Sequence, residues 1–267
     1  MRSERGLRSV IAIRSEKEIA VLREANQLVA EVLVHLANMV APGITTAEMD
    51  DAAAALIKAH GAKPSFLGYL GYPKNTCISV EEEIIHGIPG KRKLKEGQIV
   101  GIDVGVFHRG YYGDAAVTVP CGKIDARRQK LLDVTDLALS RAIRAARAGS
   151  RLVEVSRAVQ TTCEEAGFYV VKSFVGHGIG TSMHEDPQIP NFVTKDKGPV
   201  LRSGMVLAIE PMVNTGTEEV KVLRDGWTAV AADGKPSAHF EHSIVVREHG
   251  GEILSATPKL VWGRRPE

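Results

Sequence analysis

The chain has 267 residues, long enough for one large domain or two small ones and for a core without crosslinks. Its 44% hydrophobic and 25% charged content excludes disorder along its whole length. A net charge of +2 and only 5% aromatic residues argue against the basic footprint and stacking surface of a nucleic-acid binder.

The basic N-terminal stretch, residues 1–9, leads into no apolar run and does not read as a secretory signal. Ser15 and Glu18 then fit a capping box, the pattern that satisfies free backbone donors at a helix start. Ile19, Leu22, Ala25, Val29, Val32, Leu33 and Leu36 recur at three- and four-residue spacing, predicting an amphipathic helix that Pro42-Gly43 ends. Its most apolar part, 28–40, is broken by Glu31, His35 and Asn38, so no membrane helix is expected. Thr45 and Glu48 repeat the cap, and a second helix runs to about Ala59 and stops at Gly61. A loop rich in Gly, Pro and Tyr covers 64–74, and strand-like runs follow at 76–80, 98–107 and 111–119. Asp125 caps a predicted helix to about Arg147, stopped by Gly149, and another helix spans 152–165 before Gly167. Strand-like runs return at 168–174, 205–209 and 243–246, and the tail after Pro258, with Gly263 to Pro266, reads as a frayed end. Cys77, Cys121 and Cys163 lack close metal-ligand spacing and suit a reducing cytoplasm.

The second half repeats the first. Gly97 to Asp103 aligns with Gly204 to Glu210, Asp114 to Val119 with Glu241 to Val246, and His86-Gly87-Ile88 with His177-Gly178-Ile179. The helix stops Gly43 and Gly61 match Gly149 and Gly167 at one offset. These matches imply a duplication: two αα-plus-β halves, about 10–122 and 123–250, fused into one catalytic domain over residues 1–267.

The carboxylates follow this repeat. With His108-Arg109 at the tip of a hairpin, Asp103 lies directly opposite Asp114, on one face of the strand pair. Gly101 and Gly105 leave open space beside Asp103, and Val100, Ile102, Val104 and Val106 form the opposite, core face. Glu210 and Glu241 take corresponding places in the second half, so four acids converge with no cation near them in sequence. Divalent ions of the Mn, Fe, Co or Zn type are the natural counter-charge, with His177, between two glycines, as an added ligand. Two ions bridged by acids would share a water that becomes hydroxide near neutral pH and attacks a carbonyl. Glu210 is then the proton shuttle, and His86 and His184 the groups that hydrogen-bond the substrate and the developing oxyanion. Other motifs fail. His184-Glu185 resembles a zincin start, but residue 188 is Gln, and Gly176, Gly178 and Gly180 lack the full dinucleotide fingerprint. The basic run 91–95 between Gly90 and Gly97 reads as a solvated turn.

The motifs Gly68 to Lys74, His86-Gly87-Ile88-Pro89, Ile102-Asp103-Val104, Gly113-Asp114, Gly176 to Gly180, His184 to Pro187, Ile209 to Met212 and Phe240-Glu241-His242 together closely resemble the type I methionine aminopeptidase family, over about residues 10–250. The resemblance implies the α/β pita-bread fold: two halves related by a pseudo-twofold around an antiparallel sheet. It implies two divalent metal ions on Asp103, Asp114, His177, Glu210 and Glu241, with Asp114 and Glu241 bridging. His86 and His184 carry over as substrate-contacting residues. The implied activity is removal of the initiator Met from new chains when the second residue is small. Tyr69, Tyr72, Cys77 and Trp227 would line an apolar pocket for the Met side chain. Phe66 stands where many bacterial members carry Cys, and Met183 where an aromatic is common; both stay apolar. The short interval from Glu210 to Glu241 lacks the insertion of type II forms, and the zinc-finger extension of eukaryotic type I forms is not expected. These features look bacterial and cytoplasmic. The substrate would be a peptide or nascent-protein N-terminus; ribosome association and a monomeric state fit the resemblance, a membrane or specific nucleic acid does not. Two alternatives remain: an Xaa-Pro aminopeptidase of the same fold, which usually carries a large extra N-terminal domain, and an inactive pita-bread binding protein, which should lack several ligands.

Overall fold

The computed structural model describes residues 11–256, so the expectations for residues 1–9 and for the tail after Pro258 lie outside the described residues. Among the described residues, four α-helices come as two consecutive pairs, each followed by strands: α1 (Glu16–Met39), α2 (Thr46–Ala59), α3 (Ala126–Ala145) and α4 (Val153–Glu165). Capping boxes at Ser15/Glu18 and Thr45/Glu48 open α1 and α2, and the Asp125 carboxylate accepts from two backbone N–H groups to open α3. Every apolar position that the spacing assigned to α1 is buried. The helix lies directly on the strand Tyr111–Pro120, since a Cβ on Gly113 would stand 2.9 Å from the backbone of Ala25 and Asn26. Among the described residues, no helix is long and apolar enough to cross a membrane.

Each half contributes one main sheet, two three-stranded sheets accompany them, and all described strand pairings are antiparallel apart from one isolated bridge. In the first, Ile99–His108 pairs with Cys77–Val80 and with Tyr111–Pro120. In the second, Val206–Ile209 lies between Val175–Gly178 and His242–Arg247. The sheets meet where the Glu241 N–H donates to the Ala116 carbonyl at 2.8 Å and the Ala116 N–H donates back at 3.4 Å. One main hydrophobic core spans both halves, joining Leu28, Val104, Leu139, Ile209 and Val246. The aligned glycines share backbone conformations: Gly61 and Gly167 end their helices at φ 68° and 82°, and Gly97 and Gly204 precede their strands at φ 86° and 89°.

Three expectations are corrected. The hairpin tip is Arg109-Gly110, not His108-Arg109, because His108 pairs with Tyr111. The turn places positive φ at both central residues, 50° and 88°, and Gly110 meets that demand where His108 would not. The run 168–174 is not one strand. Tyr169–Val170 joins Met212–Asn214, whereas Val175–Gly178 joins the main second sheet, with polar Lys172 and Ser173 between. Finally, His86 is not the counterpart of His177. His177 lies opposite Ala208, which aligns with Gly101, and Gly101 lies opposite Ser79.

Candidate metal centre and substrate cavity

The corrected hairpin register places Asp103 opposite Ala116 and Asp114 opposite Gly105. The two acids are therefore diagonal neighbours on one face, about 7–8 Å apart at Cα rather than directly paired. The space at Gly105 is not open: a Cβ there would stand 2.1 Å from Ser65 Oγ and 2.6 Å from the Phe66 ring. At Gly101 a Cβ would meet Ser79 and Thr118 at ordinary contact distances. The loop 64–74 has folded over the strand and roofs the acids.

The second half completes the cluster. Glu210 follows the strand Val206–Ile209, Glu241 precedes His242–Arg247, and His177 rises from Val175–Gly178. Asp114, His177 and Glu241 are buried, and each offers a ligand atom within 4.8 Å of the others. His177 Nε2 lies 4.0 Å from Asp114 Oδ2 and 3.7 Å from Glu210 Oε1. The Nδ1 of His177 is 2.9 Å from the Gly178 carbonyl, which can only accept. In the neutral ring Nδ1 carries the proton, and Nε2 turns a bare lone pair towards the acids, the tautomer a metal ligand needs.

A divalent cation fits this donor set. Asp103 Oδ1, Asp114 Oδ1 and Glu241 Oε1 are buried with no hydrogen-bond partner, a costly state for carboxylates unless a cation faces them. Among the described residues, no lysine or arginine forms an ion pair with the four acids. Burial, and next the charge of Asp103, holds the Asp114 carboxyl well above the usual range; burial, and next the charge of Asp114, does the same to Glu241. Burial also pushes Asp103 up, to about 7, helped by Glu210 and opposed by His239.

Above the acids lies a cavity of about 280 Å³, bordered by every residue that the sequence singled out: Phe66, Tyr69, Tyr72, Cys77, His86, Asp103, Asp114, His177, Met183, His184, Glu210, Trp227 and Glu241. The Trp227 ring meets Tyr72 edge-on at 5.1 Å and His86 at 6.2 Å. Tyr69 Oη is 2.7 Å from His184 Nδ1, and the His184 ring lies 4.2 Å from that of His177. Burial lowers His184 to about 4, with the neighbouring His177 acting in the same direction, and burial also lowers His86. Both imidazoles are thus neutral hydrogen-bonding groups near pH 7. The Cys77 thiol, pushed well up by burial and then by Asp103, stays protonated and serves as apolar wall.

The sequence reading missed Leu70, Ile85 and Phe174, which also border the cavity, and it missed His239. This histidine is 4% exposed, and its Nε2 lies 3.4 Å from Glu210 Oε2. The signal was its spacing: two residues before Glu241, on the same side of an extended segment.

Two half-sheets that close around a buried cluster of acids and one histidine, under an apolar cavity, define a metallohydrolase. Residues 20–248 match metallopeptidase family M24, and the chain belongs to that family, in its methionine aminopeptidase branch. It is 48% identical over 246 residues to methionine aminopeptidase 1 of Bacillus subtilis, covering 92% of this chain and 99% of the relative. The solved methionine aminopeptidase of Thermotoga maritima superposes with a TM-score of 0.91 at 46% identity, over 93% of this chain and 100% of that one. The prolidase of Pyrococcus furiosus shares the fold, with a TM-score of 0.75 at 22% identity, but this chain covers only 66% of it. Divalent metal use follows from the family and the cluster.

Proposed function

We propose that this chain is an aminopeptidase that removes the initiator methionine from new proteins whose second residue is small. The observation that carries this reading is the placement of unpaired buried acids and His177 at the floor of an apolar cavity. Asp103, Asp114, His177, Glu210 and Glu241 would hold two divalent ions, Mn, Fe, Co or Zn. When bound, such ions polarise the scissile carbonyl and make water a nucleophile near neutral pH.

The remaining work falls to side chains. Tyr72, Cys77, Trp227, Phe66, Met183 and the Tyr69 ring accept a thioether side chain that offers little to hydrogen-bond. Tyr69 orients the His184 ring, so that its Nε2 faces the substrate beside His86. Glu210 takes a proton at its carboxylate and returns it to the leaving amine. Residues 1–267 act as one catalytic domain, with halves about 10–122 and 123–250. A cytoplasmic monomer working on nascent N-termini, near the ribosome, is the setting we infer; three unpaired cysteines suit a reducing compartment.

The test is metal-dependent release of Met. The chelated protein should be inactive on Met-Gly and Met-Ala peptides and regain activity with Mn, Co or Fe; no release under any metal ends the reading. Ala-Pro peptides should be poor substrates, and a preference for them would assign the chain to the Xaa-Pro peptidases instead.

A further inference from the structure

His239 stands outside the ligand set and outside the two histidines assigned to the substrate. Its backbone is held by the Thr118 side chain through both of its polar groups. The Thr118 hydroxyl accepts from the His239 N–H at 2.9 Å and donates to the His239 carbonyl at 2.8 Å. Two residues on, Glu241 makes the reciprocal backbone pair with Ala116. Both side chains are therefore delivered to the same place by a segment locked at two points. The His239 ring is buried, and Nε2 has no hydrogen-bond partner, although Glu210 Oε2 lies 3.4 Å away.

The two oxygens of Glu210 face two different imidazoles. Oε1 faces His177 Nε2, a bare lone pair because His177 Nδ1 is committed to the Gly178 carbonyl. Two acceptors face each other there, and a cation between them resolves the conflict. Oε2 faces His239 Nε2, and a carboxylate oxygen can only accept, so a proton on that nitrogen completes the contact. The arrangement distinguishes one oxygen for a cation from one oxygen for a hydrogen bond.

We propose that His239 is a positioning residue for Glu210: its Nε2–H holds Oε2 and leaves Oε1 turned towards His177 and the metal. The inference rests on the metal-centre reading given above and adds what aims one of its ligands. A carboxylate ligand held by an outer hydrogen bond loses less freedom on binding, and loss of such partners commonly costs 10–100-fold in metal affinity.

The experiment is Mn²⁺ titration of the chelated full-length protein by calorimetry, with the visible spectrum of the Co²⁺-loaded protein as a second readout. His239→Leu, which keeps bulk and removes the donor, should weaken Mn²⁺ binding about 10–100-fold. His239→Gln, which restores an N–H donor of similar reach, should bind within about threefold of wild type and leave the Co²⁺ bands unmoved. If His239→Leu fails to fold, His239→Asn, polar but too short to reach Glu210, replaces it with the same expected weakening. Wild-type affinity in the Leu or Asn variant overturns the proposal. A His239→Gln protein that loses affinity and shifts the Co²⁺ bands also overturns it, because that outcome makes His239 a direct ligand. A wild-type protein that binds no ion removes the metal-centre reading itself, a result distinct from either of these.

Discussion

Arg14 and Glu185, 171 residues apart, are joined by one guanidinium nitrogen that lies 2.7 and 2.6 Å from the two carboxylate oxygens. The same carboxylate accepts from the Ser182 N–H at 3.0 Å and the Thr181 hydroxyl at 3.3 Å, so it clamps the turn that carries Met183 and His184. The guanidinium occupies the space beside Gly180, where a Cβ would stand 2.2 Å from it. Both side chains are largely buried, at 10% and 16% exposure.

Removing Arg14 leaves the Glu185 charge largely buried and uncompensated. Arg14→Met should therefore cost about 3 kcal/mol in urea denaturation, and Glu185→Gln clearly less, because Arg14 then keeps Glu18 at 3.5 Å as a partner. Both variants should lower kcat/KM on Met-Ala peptides by roughly tenfold as the His184 turn loosens. Equal stability of the two variants would refute the uncompensated-charge argument.

The Tyr69 hydroxyl supplies the hydrogen bond that orients His184. Tyr69→Phe keeps the apolar wall and loses that bond. Turnover of Met-Ala peptides should fall about 5–13-fold, at about 1–1.5 kcal/mol for the lost bond, with little change in melting temperature. A larger change in KM than in kcat would shift the role of Tyr69 from orienting His184 to binding substrate.

The acid cluster makes the metal-free protein sensitive to pH in a defined direction. Burial raises Asp103 to about 7, and Asp114 and Glu241 well above their ordinary values. The native state therefore keeps protons that the unfolded chain, with carboxylates near 4, has released. The stability that Asp103 contributes in this way is full below about pH 4 and is lost as pH rises through about 7. Asp103→Asn should stabilise the metal-free protein at pH 8 by up to about 4 kcal/mol relative to wild type, and by little at pH 4.

Metal binding should displace the same protons. Calorimetry of Mn²⁺ binding in buffers of different ionisation enthalpy should show about one proton fewer released at pH 8 than at pH 6, as Asp103 ionises. Proton release that rises with pH would contradict the shifted carboxylates.

Gly105 carries a steric prediction. Its Cβ position coincides with Ser65 Oγ and crowds the Phe66 ring. Gly105→Ala should displace the loop that roofs the acids, cost about 1–3 kcal/mol, and reduce turnover of Met peptides. Unchanged melting and unchanged kinetics would mean that the loop yields freely.

The helices were legible because each announces itself locally: Ser15 with Glu18, Thr45 with Glu48, and Asp125 each satisfy donors within three residues. The site residues were legible as residues, through the repeat and through the resemblance. Their geometry was less so. One glycine, Gly110, moved the hairpin tip and turned a direct Asp103–Asp114 pair into a diagonal one. The His86 and His177 motifs look alike in sequence, yet only strand register reveals that Ser79 is the true counterpart of His177. The segment from 212 to 239 folds as short strands of about three residues each, too short to give a period. His239 was hidden there, since nothing local distinguishes it from a histidine packed in a core.

The backbone pair between Ala116 and Glu241 also has a meaning for biosynthesis. The acids enter the growing chain in the order Asp103, Asp114, Glu210 and Glu241. The seam between the halves can close only after Glu241 has been made. Until that moment the early acids remain on a half-sheet open to water, where they are ionised at no great cost. The burial that makes them demand a cation is imposed in one late step, and a premature, half-built site has little grip on metal.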